Sequence, residues 1–200
     1  MRTSFHHQPE AQHPNFQLST SWQADYAREV PMSSYGLAGL LKLVEASGGD
    51  IDTRIRIQKV AFLLALKGYR HFRAHSFTYH HFGPFSREIS DAVQSAVSGG
   101  LLEEREEKFT DGTKKYSYHL SEAGRAYADE EVLGDKMLDY VLAFKEQHWR
   151  ALELAATVAY LESRKRSASR DDAFALAKKL KPETAPFADK AKKILEDLNL

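Results

Sequence analysis

The chain contains no cysteine, which removes disulfides, thiolate metal sites and cysteine nucleophiles from consideration. It has no surplus of either charge: 28 Lys and Arg stand against 28 Asp and Glu, a net charge of zero. Proteins dedicated to nucleic acid usually carry a basic excess, so that class loses its first compositional support. No apolar run approaches the roughly 20 residues that span a bilayer, and no apolar signal core opens the chain. The expectation is a soluble, cytoplasmic protein without membrane contact. Chemistry-bearing frames are missing too. Gly48-Gly49 and Gly99-Gly100 lack the frame of a phosphate loop, no Gly-x-Ser-x-Gly elbow occurs, and no carboxylate stands at zincin spacing. No catalytic residue, cofactor site or metal ligand set can be named, and a non-enzymatic protein is expected.

What is present is enough for a core. The chain has 200 residues, 42% of them hydrophobic, which suffices for one good core or a core with a satellite. Residues 1–32 differ from the rest, with Pro9, Pro14, Pro31, His6, His7 and His13, a composition typical of a flexible tail. Phe5, Phe16, Trp22 and Tyr26 are dispersed through it, so it is also a candidate strap onto the body or a partner. From Ser33 the pattern is helical: Leu37, Leu40, Leu41 and Val44 share a face. A second helix over 55–66, capped by Asp52 or Thr53, is apolar nearly all round and should be the central one. A strand over 77–82 leads into Gly83-Pro84, with one of His80 and His81 packed beneath the turn and the other exposed. A third helix starts at Ser86 and carries the stripe Ile89, Ala92, Val93, Ala96 and Val97. A hairpin follows, with Tyr116, Tyr118 and Leu120 alternating and Asp111-Gly112 as its tight turn. Three helices in a triangle followed by a hairpin are a winged helix-turn-helix, assigned to residues 33–131. Residues 132–200 read as a helical C-terminal extension. The fold class is thus mainly α with a small β-hairpin.

Several stretches are distinctive together: Gln58-Lys59-Val60-Ala61-Phe62-Leu63-Leu64, Tyr79-His80-His81-Phe82-Gly83-Pro84-Phe85-Ser86 and Gly100-Leu101-Leu102. Leu154-Ala155-Ala156-Thr157 and Leu180-Lys181-Pro182 follow before the last helix. These resemble the YwgA-like uncharacterised family and, more distantly, the Panacea group of SocA-like antitoxin domains. The resemblance covers roughly residues 36–200. Phe82 and Phe85 depart from it, standing where the family tends to have tyrosines. It implies a prokaryotic accessory protein of prophage, toxin–antitoxin or defence loci.

Charge decides between partners. A winged helix on DNA would place the helix over 86–98 in the major groove and its wing on phosphate. That helix carries Arg87 against Glu88 and Asp91, and the wing is also acidic on balance. Gln94 is the base-reading candidate there. Positive charge gathers instead at Arg54, Arg56, Lys59, Arg70 and Arg73, and again at Arg164, Lys165 and Arg166. Either ordinary solvated faces or a surface for nucleic acid or an acidic partner explains them. The expectation is an interaction protein, with Arg87, Gln94, Tyr116 and Tyr118 on its contact surface. Its partner would be a toxin, an effector subunit or an SMC-like ATPase. The alternative is a DNA-binding transcriptional regulator acting as a homodimer.

Overall fold

The computed structural model describes residues 32–110, 112, 114–128 and 134–200. The tail reading, Asp111 of the hairpin turn and the start of the extension at Val132 lie outside these residues. Helix α1 (Met32–Ala46) buries Leu40, Leu41 and Val44. The short strand β1 (Asp50–Asp52) follows it. Helix α2 (Arg54–Leu66) is capped by the Thr53 hydroxyl, which accepts from the Arg56 amide. It is buried from Ile57 through Ala65, polar Gln58 and Lys59 included. A 3-10 turn (Ala74–Ser76) precedes strands β2 (Thr78–His80) and β3 (Gly83–Phe85), a small antiparallel ribbon. The expected strand over 77–82 is shorter than its sequence pattern. Phe77 turns into the core against Phe62, at 5.1 Å between ring centroids, and the chain reverses at His81-Phe82.

Helix α3 (Arg87–Ser98) begins where the Ser86 hydroxyl accepts from the Ile89 amide, and its stripe Ile89, Ala92, Val93 and Ala96 is buried. Strands β4 (Leu102–Lys108) and β5 (Lys114–Leu120) form the hairpin. Its last pair is Lys108 with Lys114, so the connection is longer than the two-residue turn expected at Asp111-Gly112. The bend closes instead by the Gly112 amide donating to the Phe109 carbonyl at 3.0 Å. β1 joins β5 with Ile51 opposite Tyr118, giving a three-stranded antiparallel sheet in the order β1-β5-β4. α4 (Glu122–Ala128) follows the Ser121 hydroxyl cap.

The last third contains α5 (Asp135–Lys145), α6 (Trp149–Ser163), α7 (Arg170–Leu180), a 3-10 segment (Pro182–Phe187) and α8 (Ala188–Asp197). Asp171 and Asp172 occupy the first turn of α7, where the helix dipole favours carboxylates. α6 is buried without interruption from Ala151 through Ala159. Its small residues Ala155, Ala156 and Ala159 let neighbouring backbones approach. α2, β3, α7 and α8 all pack on it. The expected triangle is therefore redistributed: α1 packs on α3, while α2 packs chiefly on α6. One continuous core runs from Leu40 to Leu198, across the boundary that the sequence pattern suggests near residue 132.

Candidate functional site

The distinctive sequence stretches converge on the backbone of the β2–β3 ribbon. Gln58 grips Ser86 at both ends: the Ser86 amide donates to Gln58 Oε1 at 2.8 Å, and Gln58 Nε2 donates to the Ser86 carbonyl at 2.9 Å. The next residue on α2, Lys59, donates from Nζ to the Pro84 carbonyl at 2.8 Å. From the far side Lys181 donates to the His81 carbonyl at 2.6 Å and to Glu153 Oε1 at 2.5 Å. Thr157, one turn beyond Glu153, donates to the Glu153 carbonyl at 2.8 Å. Gly83 crosses this centre with φ of 86°, and a Cβ there would stand 2.7 Å from Thr157 Oγ1. Only glycine suits both the backbone and the space.

The centre is ionic and buried. Lys59, Glu153 and Lys181 are each no more than 2% exposed, so two buried amines lie near one carboxylate, which is paired with Lys181. The Lys59 ammonium is pushed down to about 7, chiefly by burial, with Lys181 adding to the fall and Glu153 opposing it. Glu153 was legible as a signal, being the lone charged residue between Ala151 and Leu161. A carboxylate in such a run needs a buried cation. Lys181 supplies it, and neither had been singled out as a site residue.

Outside this centre the ribbon is aromatic and open. Tyr79 is 39% exposed and Phe82 52%, and both His80 and His81 are exposed. This corrects the expectation that one histidine packs beneath the turn. β2 is the outer strand of a two-stranded ribbon with all three residues exposed, and the carbonyls below it are met by long aliphatic amines instead. A cavity of about 150 Å³ lies between α2, the ribbon and α3, lined by Ile55, Lys59, His80, Phe82, Phe85 and Val93 among others. Among the described residues no group of three or more His, Asp or Glu is placed to hold a metal.

The basic residues expected to form one patch on α2 go three ways. Arg54 donates from Nε to the Tyr118 hydroxyl at 2.6 Å and from Nη2 to Glu104 at 2.9 Å. Arg56 pairs with Asp52 and donates to the Phe144 and Gln147 carbonyls at 2.9 and 3.0 Å, tying α2 to the end of α5. Lys59 is buried. Arg70 donates to the His71 ring at 3.2 Å. Arg164 donates to the Ala74 and Phe77 carbonyls at 3.2 and 2.9 Å, so the second basic cluster meets the first just beyond Arg73. Lys165 and Arg166 are exposed.

On the hairpin, Tyr118 is fully buried while Tyr116 is half-buried. The Tyr118 hydroxyl donates to Glu104 and that of Tyr116 to Glu106, each at 2.7 Å. Burial, reinforced by the bond to Glu104, pushes the Tyr118 phenol up to about 12. The Tyr116 hydroxyl and then Lys114 hold Glu106 down to about 2. Arg87 and Gln94 lie exposed on α3, bonded along the helix to Asp91 at 3.3 Å and Ser98 at 3.4 Å.

No family model matches the chain. It is 27% identical over 162 residues to the uncharacterized protein YwgA of Bacillus subtilis (strain 168), covering 80% of this chain and 95% of that protein. The similarity supports the YwgA-like resemblance over most of the chain. Among the described residues no helix is long and apolar enough to cross a membrane.

Proposed function

We propose that the chain is a non-enzymatic recognition protein built on a winged helix-turn-helix. It would serve as an accessory subunit or regulator of a bacterial defence or toxin–antitoxin assembly. Its partner is then a protein: a toxin, an effector subunit or an SMC-like ATPase. The winged-helix reading is supported by element order. α1, β1, α2 and α3 precede the β4–β5 hairpin, which closes onto β1, and the β2–β3 ribbon is an insertion before the third helix. The biological setting rests on the YwgA-like resemblance and on fold-level analogy.

One observation carries the choice of protein over DNA. Every Lys and Arg of β4 and β5 is ion-paired: Arg105 with Glu103, Lys108 and Lys114 with Glu106, and Lys115 with Asp52. On α3, Arg87 is paired with Asp91. A phosphate track here would compete with these carboxylates and gain little from counterion release. Exposed Tyr79 and Phe82 and half-buried Tyr116 beside balanced charge have the make-up of a protein interface.

Co-expression with the products of neighbouring genes, followed by size-exclusion chromatography, tests the proposal. The expected result is a stoichiometric complex that Phe82→Asp disperses while the free protein stays folded. A mixed-sequence duplex should bind no more tightly than about 10⁻⁴ M at physiological salt. The homodimeric transcriptional regulator has one observation in its favour: Gln94, Ser95 and Ser98 are all exposed along α3. It wins if the promoter duplex binds with a steep salt dependence and Arg87→Ala and Gln94→Ala abolish that binding.

A further inference from the structure

We propose that the cavity between α2, the β2–β3 ribbon and α3 binds a small apolar monocarboxylate, its acid group meeting Lys59 and its hydrocarbon lying among Ile55, Phe82, Phe85 and Val93. Size is the first argument. The cavity measures about 150 Å³, well below a drug-sized pocket, and an apolar space of that order takes a benzene-sized molecule.

Charge is the second argument. The lining includes Arg54, Lys59 and His80, and among the described residues no carboxylate. Arg54 is already engaged by Glu104 and Tyr118. Lys59 is not matched in that way. The hydrogen bond of its buried ammonium goes to a neutral oxygen, the Pro84 carbonyl, whereas an ammonium carries three donors. The nearby carboxylate, Glu153, is held at 2.5 Å by Lys181. A cation buried, among the described residues, without its own counterion favours a ligand that brings one. A single ammonium between apolar walls suits one negative charge. A phosphate dianion would lose far more hydration than one lysine returns.

The groups facing Lys59 bear on how binding follows pH: Arg54 on α2, His80 on β2, Glu153 on α6 and Lys181 after α7. A carboxylate stabilises the charged amine, so affinity should weaken as the pH rises from about 6 to 9.

This inference stands apart from the recognition reading, since its test involves no partner. The full-length isotope-labelled chain is titrated with benzoate and hexanoate, then with benzamide and hexanol as neutral counterparts. Saturable shifts of the Ile57, Gly83 and Val93 amides are expected with the acids, and binding weaker by about tenfold or more with the neutral molecules. Lys59→Met should erase the preference for the acid while keeping the fold. Ser90→Phe, which fills the cavity from α3, should block acid and neutral molecules alike, and it decides the matter if Lys59→Met does not fold. The proposal is overturned if neither acid gives saturable shifts or if benzoate and benzamide bind alike. It also fails if Ser90→Phe binds benzoate as well as the parent chain does.

Discussion

Lys181 Nζ lies 2.5 Å from Glu153 Oε1, with both side chains at most 2% exposed. The same ammonium reaches the His81 carbonyl at 2.6 Å, so one ion pair in the core also anchors the ribbon. Removing one partner leaves a buried charge without compensation. Lys181→Met should lower stability by about 3–5 kcal/mol, and pairing it with Glu153→Gln should recover a large part of that loss. Urea denaturation of the two single variants and the double variant measures the coupling. Additive losses would mean the pair is not a unit.

Lys59 gives the chain a signature in pH. Its folded value is about 7 against 10.5 ordinarily. Between those values the unfolded chain holds a proton that the native state has released. Stability attributable to this group therefore rises with pH across that window, by up to about 1.4 kcal/mol for each unit. Below pH 7 both states are protonated and the native state bears the full cost of the buried charge. Lys59→Met should remove the slope, and stability curves at pH 6.5, about 8 and about 9.5 would show it. A variant with the parent's pH dependence would refute the assignment.

Gly83 is held by two constraints that can be separated. Gly83→Ala meets a positive φ and a Thr157 oxygen 2.7 Å from the new carbon, and should cost roughly 2–4 kcal/mol. Adding Thr157→Ala relieves the collision and leaves the backbone strain. The double variant should then be more stable than the sum of the single losses predicts, as thermal unfolding would reveal.

The hairpin network can be read by absorbance. Tyr118 should ionise near 12, and a titration at alkaline pH should lose that late step in Tyr118→Phe. The same variant gives up bonds to Arg54 and Glu104 and should lose about 1–2 kcal/mol. An unchanged titration curve would show that the phenol is not held as described.

Much of this architecture was readable from periodicity. The stripe of α3, the cap at Ser86 and the alternation of Tyr116, Tyr118 and Leu120 each give one local answer, because 3.6- and 2-residue repeats act over neighbouring positions, whereas the cap of α2 stays open between Asp52 and Thr53 until the structure shows Thr53. The site was less readable. Lys59 and Arg56 look like surface charges when counted along α2, yet one enters the core and the other bridges to α5. Their partners, the Pro84 carbonyl and the Phe144 and Gln147 carbonyls, are backbone atoms, which have no sequence identity to recognise. The motif Tyr79–Ser86 was visible as a pattern, but its reason lay in Gln58, Lys59, Thr157 and Lys181 arriving from three other segments.

Lys181 fastens an oxygen that lies 100 positions earlier in the chain. While the protein is being made, the ribbon leaves the ribosome long before the amine that secures it, and closing so wide a loop is slow. Until then the ribbon that carries Phe82 and Tyr79 is held from α2, by Gln58 and Lys59. Nascent chains that stall before residue 181 should therefore be more open to proteases, since the ribbon then lacks its anchor on the α6 side.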